Sequence, residues 1–375
     1  QRKQTNSSRA TVALGADCKE TPHPMSLHPD ILGSSVDPAA IGPELKKLWK
    51  LDASRTRASL VNLVVFCGSP SGMEPVTQQI SEIIREHACR AFLVAHAEQP
   101  ANGDQKPVES WINAHCHLPK AGARQVCCEQ ITLVTRGLSL DATTGIVLSH
   151  LDYDLPLYLW WHEEFPASAE GQIWPWVDKL IFDSRDWIDP RQQLQRLQRI
   201  IDRAGTRINV SDLNWVRCLG FRRALAFAFD EPASTPLLWD LEEVAIHHGV
   251  EHRSTALLLA AWLAAQMGWK LRSTGGTTAI FETDNRPVRI TFVTKKGLPL
   301  SEVILTTFDR KEHRFSARQN HPFIDAAWTD LAGRSHRAEY PSIAENPVRL
   351  ASEELAASHR HQVYLQALDH FRALL

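Results

Sequence analysis

Four groupings in this 375-residue chain hold side chains that could do chemistry. His115-Cys116-His117, and His247-His248 with Glu251 and His252, offer metal ligands. Asp183-Ser184-Arg185-Asp186 sets carboxylates beside a hydroxyl, and Cys127-Cys128-Glu129-Gln130 supplies adjacent thiols. None is a complete set. On a strand, His115 and His117 share a face while Cys116 points away, giving two ligands where a structural zinc takes four. His248 and His252 have the i,i+4 spacing of a helical pair, but Gly249 reads as a turn and HEXXH is absent; exposed histidines are expected. Asp183, Ser184 and Asp186 end the apolar run KLIFDS, at the strand edge where α/β sites collect. They lack a paired base and read equally as turn and cap residues, as do Asp152 and Asp154. Cys127 and Cys128 face opposite sides of a strand, so a bond between them would need a strained turn. Buried thiols are the expectation. No GxGxxG, GxxxxGK[ST] or GxSxG occurs, and Gly275-Gly276 lies between strands, as a hairpin turn does. No catalytic set, metal or cofactor is expected.

Aromatic residues are the more unusual feature. Five of the 12 tryptophans fall between Trp160 and Trp187. Trp160 and Trp161 are consecutive, so a strand carrying both must be covered on both faces or meet a partner. They are expected in the core, as are Trp215 and Trp262. Trp174 and Trp176 flank Pro175 in a loop-like stretch, a poor place to bury two indoles. With Trp187 they are the candidate partner interface.

The elements that must position these residues read as two kinds. RASLVNLVVFC (57–67), RAFLVAH (90–96), 125–134, DLPLYLWW and KLIFDS read as buried strands, with a helix over 76–88 between the first two. That is an α/β domain, mostly a parallel sheet with flanking helices. PRQQLQRLQRIIDRAG is a helix opened by Pro190 and closed by Gly205, and Ser254 to Gly268 is another. From Trp269 the period changes to two, which predicts an antiparallel meander in an α+β domain. The expected divisions are a flexible arm over 1–40, the α/β domain over 41–165, the α+β domain over 166–325 and a helical tail over 326–375. The KLIFDS strand could join either sheet.

Bulk properties exclude rather than identify. A net charge of -2 gives no footprint for nucleic acid or an anionic membrane. No apolar run reaches the roughly 18 residues of a membrane span. The first residues are basic without a continuous apolar stretch, so no secretory signal is expected, and the missing initiator Met suggests a trimmed or fragmentary N-terminus. Seven cysteines without a CxxC pair fit a reducing cytoplasm.

Four phrases, in order, carry a resemblance: Val126-Cys127-Cys128-Glu129-Gln130-Ile131-Thr132; Asp154-Leu155-Pro156 leading to Trp160-Trp161; Asp178 with Leu180 to Ser184; and Ser211-Asp212-Leu213-Asn214-Trp215. The chain resembles the glucose-6-phosphate dehydrogenase assembly proteins of the OpcA type over about Arg55 to Arg318. His87-Ala88-Cys89-Arg90 departs from the His-Pro-Ser-Arg expected there. The resemblance implies a non-enzymatic assembly factor or allosteric activator that binds the dehydrogenase and promotes its active oligomer in the oxidative pentose phosphate pathway. Cyanobacterial members are linked to thioredoxin, but the cysteine spacing here offers no obvious pair to carry that control. The alternative reading is an α/β sugar-phosphate sensor or enzyme with its site at Asp183, Ser184 and Asp186.

Overall fold

The computed structural model describes residues 32–50, 55–103, 105–117, 125–167, 171–309, 313–357 and 362–375. Two sheets organise them. The first has nine strands: β1 (Ser34–Val36), β2 (Arg55–Arg57), β3 (Val61–Cys67), β4 (Cys89–Ala97), β5 (Val108–His117), β6 (Gln125–Arg136), β7 (Leu157–Trp161), β8 (Lys179–Phe182) and β9 (Asn209–Asp212). Its order is β1-β5-β6-β4-β3-β7-β8-β9, with β2 pairing β6 off this path. From β6 to β9 all neighbours are parallel, whereas β5 and β1 are antiparallel additions. Numbered along the chain, the parallel core reads 3-2-1-4-5-6, the order of doubly wound dinucleotide-binding sheets. The first sheet is mixed, with a parallel core and flanking helices, so the expected mostly parallel sheet is met in part.

These strands read as continuous apolar runs because both faces are covered. Val64, Phe66, Phe92, Leu133, Leu159 and Trp161 face one core; Leu63, Val65, Leu93, Trp160 and Ile181 face the other. The helix α1 (Ile41–Lys50) buries Ile41 and Leu45 in the first core. In α2 (Met73–Glu86), Val76, Ile80, Ile83 and Ile84 lie at helical spacing and fill the second. Ser139 caps α3 (Leu140–Leu148) through Ala142 N. Asp189 caps α4 (Pro190–Ala204) through Gln192 N, and Gly205 stops it at φ 69°. The short α5 (Leu213–Arg217) leads into α6 (Leu219–Asp230).

The second sheet has eight strands: β10 (Leu241–Gly249), β11 (Lys270–Gly275), β12 (Thr278–Glu282), β13 (Val288–Lys295), β14 (Leu300–Thr307), β15 (Arg314–Asn320), β16 (Phe323–Thr329) and β17 (Ser335–Pro341). Its order is β11-β12-β13-β10-β14-β15-β16-β17. The meander is therefore interrupted: β10 sits at its centre, parallel to β13 and antiparallel to β14. The sequence reading missed β10 because its histidines and Gly249 resembled a turn. In fact Leu241, Val244, Ile246 and His248 alternate inward. One face packs on α7 (Arg253–Met267), which is buried on all sides from Thr255 to Ala264, and on α6. The other face is solvated. After β17 come α8 (Pro347–Ala356) and α9 (Gln362–Leu374).

The sheets correct the expected divisions. KLIFDS forms β8 of the first sheet, and β9 extends that sheet to Asp212, so no boundary falls at 165/166. The meander runs past 325 to Pro341. Most of the 1–40 arm lies outside the described residues, yet Ser34–Val36 pairs with β5 and is part of the sheet. A further correction concerns cysteine: Cys116 and Cys127, at facing positions on β5 and β6, form a disulfide. The register puts them in one cross-strand pair, a contact across 11 positions that spacing rules do not search.

Candidate functional site

The motif residues gather in two places. The first is the start of β6, where Glu129 is buried and accepts Trp49 Nε1 at 2.5 Å. Arg57 Nε and Arg90 Nε lie 3.0 and 3.2 Å from its oxygens. Two guanidiniums and an indole N–H thus compensate a carboxylate that would otherwise be costly to bury. Gln130 beside it donates to Thr132 Oγ1 and bonds His115 Nε2 at 2.7 Å. His115 is therefore half of a polar pair within the sheet, and burial lowers its pKa. Cys128 is a buried thiol, as expected, whereas Cys127 is in the disulfide.

The second is built where β8 and β9 end. Parallel neighbours deliver Asp183-Ser184 and Asp212 side by side, because Phe182 and Asp212 are paired in register. Asp212 Oδ1 accepts Ser184 N at 3.0 Å and Asn214 N at 2.9 Å. Oδ2 accepts Ser184 Oγ at 2.6 Å and Tyr364 OH, from α9, at 3.0 Å. Asn214 donates to Ser184 Oγ at 3.1 Å and accepts Thr255 Oγ1, from α7, at 2.6 Å. The network therefore joins the first sheet to two helices that cover the second. Burial and the nearby Asp183 charge raise the Asp212 pKa to about 6, against the lowering effect of the Ser184 and Asn214 hydrogen bonds. The Tyr364 hydroxyl is pushed far above its ordinary range by burial, then by Asp212, and stays a donor.

An ionic layer lies outside this knot. Asp183 accepts both Arg217 Nη atoms at 2.7 Å. Arg217 Nε also bonds Glu345 at 2.5 Å, and Arg185 pairs with Asp186 and Glu345. A serine 2.6 Å from an aspartate resembles an activated nucleophile, but the activating base must also reach a substrate. Ser184 is 1% exposed, Asp212 1% and Asn214 0%, and each oxygen already has protein partners. Both carboxylates of the alternative site have bidentate partners: Asp183 is neutralised by Arg217 and Asp186 by Arg185. Asp186 alone faces solvent, held by Arg185.

The remaining expectations divide. Trp160, Trp161, Trp215 and Trp262 are buried. Trp161 stacks on Phe66 at 5.0 Å, and Trp215 lies under the Arg222 guanidinium at 3.5 Å. The candidate interface needs correction: Trp174 is fully buried and Trp187 is 7% exposed, leaving Trp176 alone at 54%. The loop folds back as a 3-10 turn over Trp174–Trp176, placing Trp174 5.7 Å from Trp161, and Trp187 stacks on Phe182 at 5.4 Å. His247 and His248 lie on β10 rather than on a helix with His252. Among the described residues, the His and acid groups close enough for a metal are instead Glu231, Asp330 and His336. There Arg334 already bonds Asp330 at 2.7 Å, and His336 bonds it at 3.0 Å.

Sequence reasoning missed Arg217, Thr255, Glu345 and Tyr364. Arg217 stands two residues past Trp215 in the last motif, a usable signal. Tyr364 is reached only through the fold. Lys179 was missed as well: its ammonium is buried and donates to the Glu354 and Ala357 carbonyls, at the end of α8, at 2.5 Å each.

Fold and site together define a class: a doubly wound sheet and a one-face-open mixed sheet, locked together by a sealed carboxylate network at the carboxyl ends of β8 and β9. Residues 80–199 match the model of the glucose-6-phosphate dehydrogenase subunit N-terminal domain, and residues 208–368 that of its C-terminal domain. Two proteins named OxPP cycle protein OpcA are similar to the chain. That of Synechocystis sp. is 25% identical over 232 residues, 59% of this chain and 46% of the relative. That of Synechococcus elongatus is 27% identical over 232 residues, 59% of this chain and 50% of the relative. The matched part thus spans about half the length of these curated relatives. Among solved structures, the transcriptional regulator Gal80p of Kluyveromyces lactis aligns at 10% identity and TM-score 0.42, covering 88% of this chain and 87% of that one. A likeness at that score carries no argument. The chain belongs to the glucose-6-phosphate dehydrogenase assembly protein family, the OpcA type.

Proposed function

We propose that this protein is a non-enzymatic factor that binds glucose-6-phosphate dehydrogenase and promotes its active oligomer. The observation that carries the reading is the pair of family models matched in order over 80–199 and 208–368. The sealed network supports it, since the Asp183-Ser184 end that a sensor or enzyme would use is spent on holding the sheets together. A factor of this kind must bind the competent oligomer more tightly than the incompetent one, because equal affinity shifts nothing.

The contact surface we propose is the end of the second sheet near Trp239 and Phe308, 59% and 60% exposed. They flank a cavity of about 600 Å³ with Arg286, whose guanidinium sits 4.0 Å over the Phe308 ring. Exposed Trp and Arg are the residue types that dominate binding energy at interfaces. The test is dehydrogenase kinetics with and without this protein, paired with size-exclusion chromatography. A lower substrate KM or higher kcat together with co-elution supports the role, and separate peaks without kinetic effect reject it. Trp239→Ala with Phe308→Ala should weaken binding at least about tenfold, the scale of two hot-spot truncations. Unchanged binding rejects the placement.

A further inference from the structure

Glu163 occupies the position that matters most in a sheet of this order. We infer that the crevice between the carboxyl ends of β3 and β7 is a dinucleotide-type site held shut by Glu163, so that this chain takes up no nicotinamide dinucleotide. In a 3-2-1-4-5-6 sheet the ligand lies outside the strand ends where the order reverses, and its pyrophosphate rests on N–H groups of the turn after the first strand. Here the reversal falls between β3 and β7, and the turn is Gly68-Ser69-Pro70-Ser71-Gly72, leading to α2.

The Gly68, Ser71 and Gly72 N–H groups of that turn are already used, the last on Ser69 O at 3.0 Å. Gly68 N–H, the first beyond β3, donates to Glu163 Oε1 at 2.5 Å. Ser69 Oγ accepts Ser71 N at 3.3 Å and bonds Ser71 Oγ at 2.7 Å, while Pro70 has no N–H to offer. Glu163 follows β7 by two residues, and its segment is fixed by His162 N donating to Phe66 O at 3.0 Å. A Cβ on Gly68 would come within 1.9 Å of Glu163 Oε2. The glycine therefore serves the chain's own carboxylate as a nucleotide-site glycine serves a phosphate: it lets the anion touch backbone. The carboxylate's closeness is also felt by the buried Cys67 thiol, pushed up to about 12 by burial first and Glu163 second. An incoming pyrophosphate meets a first N–H already held by Glu163, and a like charge.

This inference is separate from dehydrogenase binding and is tested on the full chain by titration calorimetry with NADP and, separately, inorganic pyrophosphate. Wild type should give no saturable heat with either. Glu163→Ala, with an unchanged circular dichroism spectrum, should bind both with an affinity at least about tenfold above the wild-type limit. Glu163→Ser serves the same test should the alanine variant fold poorly. Gly68→Ala displaces the carboxylate but fills the space with a methyl group, so it should stay inert. Saturable NADP binding by wild type, or alanine and serine variants as inert as wild type, overturns the inference. Co-elution of Glu163→Ala with the dehydrogenase, as for wild type, keeps the two readings apart: failure to co-elute in every form rejects the assembly role alone.

Discussion

The two sheets treat their strands oppositely. In the first, Leu63 to Phe66 and Ala91 to Ala95 are buried in succession because each residue meets a covered face. In the second, β14 to β16 bury every other residue, and Ala245, Ile304, Ser316 and Ala327 look outward, half-buried. Polar chemistry follows the same division. The first sheet spends Glu129, Asp183 and Asp212 internally, whereas the second leaves Trp239, Arg286 and Phe308 at its surface. The lesson is that motif residues and accessible residues are different sets here: the motif phrases mark what holds the molecule together, and the exposed aromatic residues lie at unmarked positions.

A charge placed on each sheet breaks or sharpens this contrast most. Ala91→Glu on β4 should prevent folding, since an unpaired buried carboxylate costs several kcal/mol, a large share of the roughly 5–15 kcal/mol a domain possesses. Ala245→Glu, on the solvated face of β10, should change stability by about 0.5 kcal/mol or less. Urea unfolding of both variants measures the difference, and equal losses would mean the second face is covered.

Next comes the WPW turn. Trp174→Ala should cost about 3–5 kcal/mol, and Trp176→Ala, two residues away, about 0.5 kcal/mol or less. Comparable losses would contradict the burial of one indole and the exposure of the other.

The sealed network gives a pH signature. The folded-state Asp212 pKa, about 6, lies above the ordinary carboxylate value of 3.8. The folded protein therefore holds a proton that the unfolded chain releases, and this residue's contribution to stability falls as pH rises between those values. Asp212→Asn should flatten that slope, in thermal unfolding followed across the window. An unchanged slope would assign it to other groups. The smallest effect is at Gly68: displacing the mobile end of Glu163 should make Gly68→Ala cost under about 1 kcal/mol.

Much of the first sheet was legible, because buried parallel strands announce themselves as unbroken apolar runs and helices as i,i+4 stripes. β7, β8 and α4 fall where the patterns put them. β10 was not legible, since its polar outward residues and paired histidines masked the alternation that only its neighbours β13 and β14 confirm. The Trp174 loop misled for a related reason: proline between two indoles implies a loop, and loops are usually exposed, but a 3-10 turn can fold an indole onto a sheet. The site was half legible. Asp183, Ser184, Asp212 and Asn214 stood in recognisable phrases, while their partners Thr255, Glu345 and Tyr364 are reached through packing alone. The Cys116–Cys127 pair needed the register of β5 against β6, which no spacing rule contains.

Glu129 has a consequence for the order of events as the chain forms. Trp49 reaches it across 80 positions, and α1 has no intrinsic reason to remain helical at ten residues without its sheet. Closing so long a loop is an entropic expense that only a preassembled β6 can offset. We expect α1 to dock late in folding and to open early in native fluctuation. Its amides should exchange with solvent through openings that leave the central strands intact.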